Sequence, residues 1–333
     1  MSDELTSLLK EVEQELEVCL EVMDGSAYSE LANIFRYQMG WEKGKATNAG
    51  KRVRPLLLLL SVNGFGGNWR KALPGAAALE LLHNYSLIHD DIEDRSELRR
   101  GKETIWVKWG QAQAINTGDA MLNLALMTPW QLQADYPINV VSETVRSIQN
   151  WSLELTKGQY LDISFEKREF VSISEYFEMV EGKTCSLLKA AFEVGGILGK
   201  ANQQNREILV NCGSLLGRAY QVQDDLLGIW GIANETGKSN QSDLLERKKS
   251  YPILLGLKNK GKFASEWKNE GFNEETIPYL ANLLVEEGIK ADCEAEYCRL
   301  FSDTIITLRN LEGEQAGLDA LTDFVRSLLD RKF

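Results

Sequence analysis

The residues best suited to chemistry are two groups of aspartates, the first of which follows an apolar segment. Asp90 and Asp94 are four residues apart, and Asp91 adjoins Asp90. On a helix, residues four apart project from the same face, and the third carboxylate lies beside them. Like charges this close repel, so their burial requires a cation, and Mg²⁺ prefers such oxygen ligands. We call Asp90, Asp91 and Asp94 the first carboxylate set. It predicts a magnesium site or, alternatively, a solvated helix end paired with nearby arginines.

A second acidic pair has the same setting. Asp224 and Asp225 also end an apolar helical segment, and Gln221 lies three residues before Asp224, on the same side of that helix. Polar sites in helical bundles are built from inward-projecting side chains of facing helices. We call Asp224 and Asp225 the second carboxylate set. Two such sets on facing helices would hold a cluster of metal ions.

Basic residues lie next to both sets in a chain that is otherwise acidic. The sequence has 37 Lys and Arg residues against 49 Asp and Glu residues, a net charge of −12. Basic runs nevertheless occur within 50–55, 99–101, 236–238 and 247–249. Arginine binds phosphate oxygens through two parallel hydrogen bonds, and lysine acts as a point charge. Together these runs indicate a bound polyanion that carries phosphate groups.

The segments that position these residues have helical patterning. The sequence has only six prolines and none between Pro137 and Pro252, which suits long helices. Apolar residues recur at spacings of three or four, whereas strand-like alternation between turn signals is nearly absent. We therefore predict an all-α protein whose helices include 72–95, 111–134, 138–161, 173–199 and 202–230.

Composition excludes several other classes of protein. A net charge of −12 repels phosphate backbones, so general nucleic-acid binding is disfavoured. No apolar stretch approaches the roughly 18 to 20 residues of a transmembrane helix. The acidic N-terminus lacks a secretory signal, which predicts a cytoplasmic protein. Five cysteines without a CxxC pair, together with only two histidines, argue against a disulfide framework or a zinc site.

Seven short motifs follow one another in a specific order. They are GKRVRP at 50–55, His83 seven residues before the DDxxD box at 90–94, RRG at 99–101, GKT at 182–184, QxxDD at 221–225, GK at 237–238 and RKKSYP at 247–252. In this order they resemble the motifs of the trans-isoprenyl diphosphate synthases, the polyprenyl synthetase family, of the short-chain type. The resemblance covers about residues 45–255.

The resemblance implies a fold, an assembly and a reaction. The implied fold is a single domain over residues 1–333, a bundle of about a dozen helices around a central active-site cavity, known as the isoprenoid synthase fold. The implied assembly is a homodimer. The implied reaction is the condensation of isopentenyl diphosphate with allylic diphosphates, in which Mg²⁺ assists ionisation before condensation and proton loss.

The resemblance also implies a role for each matching residue. The residues that would hold isopentenyl diphosphate are Lys51, Arg54, His83 and Arg100. Those that would contact the allylic substrate, mostly through its diphosphate, are Arg99, Lys183, Gln221, Lys238 and Lys248. The direct magnesium ligands would be Asp90, Asp94 and Asp224, whereas Asp91 and Asp225 would act on the metal indirectly.

Physical chemistry supports these roles. Mg²⁺ and the basic side chains neutralise the charge that develops on the departing diphosphate. Thr184 and Gln221 are neutral oxygen dipoles that can stabilise the allylic cation without capturing it. The double bond of isopentenyl diphosphate then attacks from a fixed position, and the released diphosphate is the expected proton acceptor.

Two positions depart from the family's motifs. The second acidic box usually reads DDxxD, but its fifth position here is Gly228, so one carboxylate is missing. If that acid normally binds the metal through water, its loss weakens magnesium binding only modestly. Where Gly-Lys-x-Thr is commoner, this chain has Arg247 followed by Lys248, which keeps the cationic position.

The length of the product is predicted from Tyr85, five positions before Asp90. A ring at this position would block a chain that grows beside the helix, and Ser86 leaves room next to it. By resemblance, such an aromatic residue indicates synthases that stop at C20 or C15, so we expect geranylgeranyl or farnesyl diphosphate. The alternative is that Tyr85 is an ordinary core residue.

Two other functions are compatible with parts of the sequence. A terpene synthase derived from the same fold would ionise an allylic diphosphate without condensing it, but it has no use for an isopentenyl diphosphate pocket. A non-catalytic partner subunit of a prenyl synthase would be expected to lose the first carboxylate set, which is intact here.

Overall fold

The computed structural model describes residues 3–23, 25, 27–42, 45–46, 50–231, 242–268 and 276–329. These residues are mostly helical, which confirms the all-α prediction. The α-helices are α1 (Asp3–Leu20), α2 (Ser29–Gln38), α3 (Val53–Gly64), α4 (Leu73–Glu93), α5 (Ile105–Trp109), α6 (Gln111–Met127), α7 (Ile138–Glu166), α8 (Ile173–Val180), α9 (Ser186–Leu198), α10 (Gln203–Trp230), α11 (Ser242–Leu245), α12 (Tyr251–Asn259), α13 (Lys262–Glu266), α14 (Ile277–Glu286), α15 (Ile289–Leu308) and α16 (Gln315–Leu329).

Shorter elements link these helices. The 3₁₀ helices are Glu21–Met23, Trp69–Ala72 and Thr128–Ala134, and a π-helical turn covers Glu181–Cys185. Two antiparallel hairpins have two-residue strands: β1 (Trp41–Glu42) pairs with β2 (Lys45–Ala46), and β3 (Leu98–Arg99) pairs with β4 (Lys102–Glu103).

Contacts within the chain define two compact units. The first unit comprises Met1–Ser152, Leu187–Val210 and Leu311–Asp323. The second unit comprises Leu153–Ser186, Asn211–Asn310 and Phe324–Phe333. The single domain over residues 1–333 stays a prediction.

Helix α4 forms the centre of the first unit's core. It packs most extensively against α6 and also contacts α3 and α1. Every residue from Gly75 to Leu82 is buried, as expected for a helix that is largely apolar on all sides. Pro74 lies at the start of α4, where a missing N–H has no cost, and α4 ends before Arg95, whose φ is +52°. The core thus fixes the helix that carries the first carboxylate set.

Helix α8 of the second unit begins with a capping box. The Glu175 N–H donates to Ser172 Oγ at 3.2 Å, and the Ser172 N–H donates to Glu175 Oε2 at 2.9 Å. The bond from the Ser172 backbone, then those from Arg168 and the Ser172 side chain, lower the pKa of Glu175 to about 2. This cap fixes the start of the segment that leads to Lys183.

Two predicted helices are interrupted in the structure. The segment predicted over 111–134 changes from α6 to a 3₁₀ helix after Met127, because Pro129 cannot donate the next helical hydrogen bond. The segment predicted over 173–199 contains the π-helical turn Glu181–Cys185. At this turn the backbone approaches α7 so closely that a Cβ at Gly158 would lie 2.0 Å from the Lys183 nitrogen. The spacing of apolar residues in the sequence indicates neither interruption.

Within the described ranges, no helix has both the length and the apolar composition that crossing a bilayer demands.

Candidate active site

The first carboxylate set lies in the last turn of α4. Asp91 is buried, Asp90 is partly exposed, and Asp94 is the exposed residue that caps the helix. Unpaired carbonyls make a helix C-terminus partly negative, so carboxylates there favour a nearby cation. Arg99 is one such cation: Nε donates to Asp91 Oδ1 at 2.7 Å, and Nη2 donates to Asp90 Oδ2 at 3.1 Å. Burial alone would lower the pKa of Arg99, but its bonds and ion pairs with the two aspartates raise it.

The hairpin β3–β4 positions Arg99 and Arg100. Arg99 lies opposite Lys102 in the ladder, and the two turn residues, Arg100 and Gly101, have φ values of +52° and +75°. Two successive positive φ values are typical of the type I′ turn that joins two-residue hairpins. Gly50 lies against the Arg100 guanidinium, because a Cβ at Gly50 would be 2.9 Å from both Nη atoms. Gly50 also has a φ of +76°, so any other residue at the start of the GKRVRP motif would be strained.

Arg52 anchors the GKRVRP motif, although the sequence did not single it out. Its side chain is 1% exposed and pairs with Glu13 at 2.7 Å and Glu80 at 2.8 Å. Burial alone would lower the pKa of Arg52, but Glu80 and Glu13 raise it, so the guanidinium is charged. This buried network fixes the start of α3, next to Lys51, which is exposed, and Arg54, which is partly buried.

Positive charges surround His83 on α4. Burial, followed by the charges of Arg54 and Arg100 and those of Arg99 and Arg52, holds the pKa of His83 well below its usual range. The imidazole is therefore neutral at neutral pH and offers one hydrogen-bond donor and one acceptor. Arg52 and Arg99 are paired with carboxylates, yet the charges of all four arginines act against a proton on His83, so this region of the first unit favours a bound anion.

A pocket of the first unit lies beside the same arginines. Its charged lining residues are Asp91, Arg99, Arg100, Lys102 and Glu103, and they are joined by Tyr37 and Leu87. The cations outnumber the carboxylates, and Asp91 is already paired with Arg99. The lining therefore suits a small anionic group.

Tyr85 lies on α4 between His83 and the first carboxylate set. Its ring meets that of His89 edge to face, with ring centres 5.0 Å apart. His89 in turn lies against α6, since a Cβ at Gly118 would be 2.2 Å from His89 Nε2. The Tyr85 ring is thus held by packed neighbours. That it blocks a growing chain stays a prediction.

The second carboxylate set divides into an exposed and a buried residue of α10. Asp224 is exposed, whereas Asp225 is 4% exposed. Asp225 Oδ2 accepts hydrogen bonds from Tyr176 Oη and the Tyr251 N–H, each at 2.7 Å, and Oδ1 accepts one from Gln221 Nε2 at 2.8 Å. Burial, and next the negative charge of Asp243, raise the pKa of Asp225 to about 7. Asp225 therefore joins α8, α10 and α12.

Lys183 and Thr184 lie in the π-helical turn of the second unit. Lys183 Nζ pairs with Asp162 Oδ2 of α7 at 2.5 Å. The Thr184 hydroxyl donates to Gln221 Oε1 at 2.6 Å, and Gln221 donates onward to Asp225. Because the single Thr184 proton is used in this bond, its oxygen retains lone pairs that can face a positive charge.

The remaining predicted cations are Lys238 and Lys248. Lys238 lies outside the described residues. Lys248 is exposed and pairs with Glu246 at 3.0 Å. Its neighbour Arg247 donates to the Trp267 carbonyl and stacks on the Trp267 ring at 5.0 Å, which fixes the turn that precedes α12.

Comparison with known proteins identifies the architecture. The polyprenyl synthetase family model matches residues 43–284. The (2E,6E)-farnesyl diphosphate synthase of Mycobacterium tuberculosis H37Rv is 43% identical over 311 residues, which cover 90% of this chain and 86% of that protein. The geranylgeranyl diphosphate synthase of Methanosarcina mazei is 39% identical over 227 residues, which cover 68% of this chain and 69% of that protein. The crystal structure of a polyprenyl synthetase from Streptomyces coelicolor A3(2) superposes with a TM-score of 0.84 at 34% identity, over 96% of this chain and 99% of that one.

The chain belongs to the polyprenyl synthetase family. This membership confirms the predicted family and its helical fold, and it confirms the prediction of a short-chain prenyltransferase. The role of each individual site residue stays a prediction.

The candidate ligands within each unit of this polyprenyl synthetase fit Mg²⁺. The candidate ligands Asp90, Asp94 and Asp224 are carboxylates with some exposure to solvent. In the portion of the chain that the structure describes, no three His, Cys, Asp or Glu side chains form a ready metal cluster. Mg²⁺ needs only one or two carboxylates, because water and substrate phosphates complete its shell. The residues thus suit an ion that binds together with a diphosphate.

The structure brings the predicted residues together in two groups. In the first unit, Asp90, Asp91, Arg99, Arg100, Arg54 and His83 are neighbours. In the second unit, Thr184, Gln221 and Asp225 form one hydrogen-bonded chain. Sequence reasoning missed Arg52, Gly158, Asp162 and Tyr176. Gly158 had a signal, since a glycine inside a long predicted helix suggests close backbone packing.

Proposed function

We propose that this polyprenyl synthetase condenses isopentenyl diphosphate with an allylic diphosphate and releases a C15 or C20 product. The observation that carries the proposal is the arginine cluster around His83 together with the pocket lined by Arg99, Arg100 and Lys102, which favour an anion next to the first carboxylate set. A synthase needs a second diphosphate site of this kind, whereas a terpene synthase does not. The similar proteins named farnesyl and geranylgeranyl diphosphate synthases support the same reaction.

In this proposal the first unit binds isopentenyl diphosphate. Lys51, Arg54 and Arg100 bind its diphosphate oxygens, and neutral His83 donates a hydrogen bond to it. The Arg52 network and Gly50 hold these groups in place before the substrate arrives. Preorganised cations bind the anion without reorganising, so the nucleophilic double bond is held in one position.

The predicted magnesium ligands and the remaining basic residues act on the allylic substrate. Asp90 and Asp94 of the first unit, and Asp224 of the second unit, would each hold Mg²⁺, which would neutralise charge on the diphosphate leaving group. Lys183, Lys238, Lys248 and Arg99 would each add positive charge to the allylic diphosphate. The Thr184 and Gln221 oxygens stabilise the allylic cation, and Asp225 orients Gln221 through a 2.8 Å hydrogen bond. The released diphosphate takes the proton that ends the reaction.

We also propose a product length, an assembly and a location for the enzyme. The Tyr85 ring ends the path of the growing chain, which limits the product to C15 or C20. The enzyme works as a homodimer in the cytoplasm. All five cysteines of the sequence lie in the described residues and are free thiols, in keeping with a reducing compartment.

One incubation tests the reaction. Purified protein is mixed with Mg²⁺, isopentenyl diphosphate and labelled dimethylallyl, geranyl or farnesyl diphosphate, and the products are separated by chromatography. We expect elongated diphosphates that end at C15 or C20. Hydrocarbons would instead identify a terpene synthase, and an absence of turnover would identify a partner subunit.

A further inference from the structure

The π-helical turn Glu181–Cys185 is held between two helices of the second unit. On one side, a Cβ at Gly182 would lie 2.6 Å from the Cα of Gly158 on α7. On the other side, a Cβ at Gly217 of α10 would lie 2.5 Å from Cys185 Sγ. Turns of this kind are rare and occur frequently at functional sites. Specific contacts must therefore keep the turn in its place between α7 and α10.

Glu181, the first residue of the turn, is bound by two side chains of α10. Its Oε1 accepts a hydrogen bond from Ser214 Oγ at 2.5 Å and another from Arg218 Nε at 2.6 Å. These two donors are four residues apart, so they lie on the same face of α10. The Arg218 guanidinium also lies over the Phe177 ring of α8, 5.3 Å from its centre. One arginine side chain thus joins α8, the turn and α10.

A second contact between the turn and α10 follows three residues later on each element. Thr184 is three residues after Glu181, and Gln221 is three residues after Arg218. The Thr184 hydroxyl donates to Gln221 Oε1 at 2.6 Å. The pair of Glu181 and Arg218 therefore sets the register in which Thr184 meets Gln221. Lys183 lies within the same register.

We propose that Arg218 and Glu181 are positioning residues, which fix the π-helical turn on α10 and so hold Lys183 and Thr184 in place toward the allylic substrate. This inference rests on the proposed function, which gives Lys183 and Thr184 their roles. Arg218 itself is 36% exposed, so its ion pair contributes little to overall stability. A misplacement of about 1 Å in a catalytic group, however, can lower a rate by about 10²-fold.

The first test removes the charge of Arg218 and keeps an apolar chain on Phe177. We expect Arg218→Met to lower kcat by about tenfold or more, to leave KM for isopentenyl diphosphate unchanged, and to lower the melting temperature by only a few degrees. Arg206→Met is the matched control, because Arg206 lies on the same helix, is 23% exposed and pairs with Glu143 at 2.7 Å. The control should keep the wild-type kcat and have a similar melting temperature.

The second test varies the acceptor. Glu181→Leu removes the oxygen that binds Ser214 and Arg218, so it should lower kcat as far as Arg218→Met does. Glu181→Gln keeps an acceptor oxygen of the same shape and should retain most of the activity. A residue that only fills space would show no such difference between leucine and glutamine.

The third test asks whether Arg218 acts through the turn. In a background that lacks both groups, Lys183→Met/Thr184→Val, the further change Arg218→Met should lower single-turnover rates by less than twofold. Groups that act as one unit have effects that do not add. A loss as large as in wild-type protein would show that Arg218 acts elsewhere.

The outcomes separate this inference from the proposed function. If wild-type protein elongates its substrate while Arg218→Met keeps the kcat of Arg206→Met, the positioning role is refuted and the proposed function stands. A full loss in the Lys183→Met/Thr184→Val background would refute the positioning role in the same way. If wild-type protein forms no elongated product, the proposed function itself fails, and the positioning role fails with it.

Discussion

The two carboxylate sets balance their negative charge in different ways. In the first unit, Arg99 binds both Asp90 and Asp91, and burial together with the charges of four arginines lowers the pKa of His83. In the second unit, Asp225 is held by neutral donors, and burial, followed by the charge of nearby Asp243, raises its pKa to about 7. A region rich in cations suits the substrate that keeps its diphosphate, whereas a region of concentrated negative charge suits a metal ion. The comparison therefore predicts different consequences for equivalent substitutions.

Removing a cation should affect different kinetic constants in the two regions. Lys183→Met should lower kcat by about 10²- to 10³-fold, because Lys183 is proposed to stabilise charge that appears only in the transition state. Arg100→Met should mainly raise KM for isopentenyl diphosphate, because that diphosphate keeps its charge throughout the reaction. Steady-state kinetics with both substrates varied measure this difference. Lys157→Met serves as the control, because it removes an exposed lysine that pairs with Glu154. Equal losses of kcat in Lys183→Met and Arg100→Met would contradict the different roles proposed for the two residues.

Removing a buried aspartate should cost more stability in the second unit. Asp225→Ala leaves three donors without an acceptor, which should lower the free energy of unfolding by about 3 kcal/mol. Asp91→Ala should cost about 1 kcal/mol, because Arg99 is 31% exposed and keeps Asp90 as a partner. Urea titrations in the presence of a chelator measure both values, with Asp303→Ala as the exposed control. Equal losses would mean that Arg99 is as essential to folding as the donors around Asp225.

The length of the product should depend on Tyr85, which lies on α4, the helix that carries the first carboxylate set. Tyr85→Ala removes a ring from the proposed path of the chain, so the ratio of longer to shorter products should rise by about tenfold or more. Tyr160→Ala serves as the control, since Tyr160 is 72% exposed on α7. Chromatography of the diphosphate products measures the ratio. An unchanged chain length in Tyr85→Ala would show that Tyr85 is an ordinary core residue.

The cations around His83 should make stability depend on pH. A lowered pKa means that the unfolded chain binds the proton more tightly, so unfolding becomes easier as pH falls through about 6.5. Between about pH 7.5 and 5.5, wild-type protein should lose about 1 kcal/mol more stability than His83→Gln. Urea unfolding at the two pH values measures the difference. Parallel losses in both proteins would place the His83 pKa near its ordinary value.

The sequence predicted the helical fold and most candidate residues because both leave local signals. Apolar spacing predicts a helix wherever a face is buried, and paired aspartates at helix ends predict a cation site. Arg99 was identified from its neighbours in the chain, and its contact with Asp91 agrees with the predicted alternative of a paired helix end.

Other features depend on contacts between distant residues and could not be read from local patterns. Gly228 was interpreted as the loss of a carboxylate, because nothing in the sequence places Asp243 against it, where a Cβ at position 228 would lie 2.5 Å from Asp243 Oδ2. The π-helical turn at Lys183 likewise depends on the close approach of Gly158 from α7. Arg52 lies inside a recognised motif, yet only its pairing with Glu13 and Glu80 shows that it anchors the motif.

The rate of condensation in the double variant Asp90→Ala/Asp224→Ala tests the central claim most directly. Each carboxylate set would lose a magnesium ligand while the arginine cluster stays intact. We expect that this variant, incubated with Mg²⁺, isopentenyl diphosphate and labelled dimethylallyl diphosphate, forms no detectable elongated product, whereas wild-type protein does. Elongation at the wild-type rate by the double variant, or by wild-type protein in excess chelator, would contradict it.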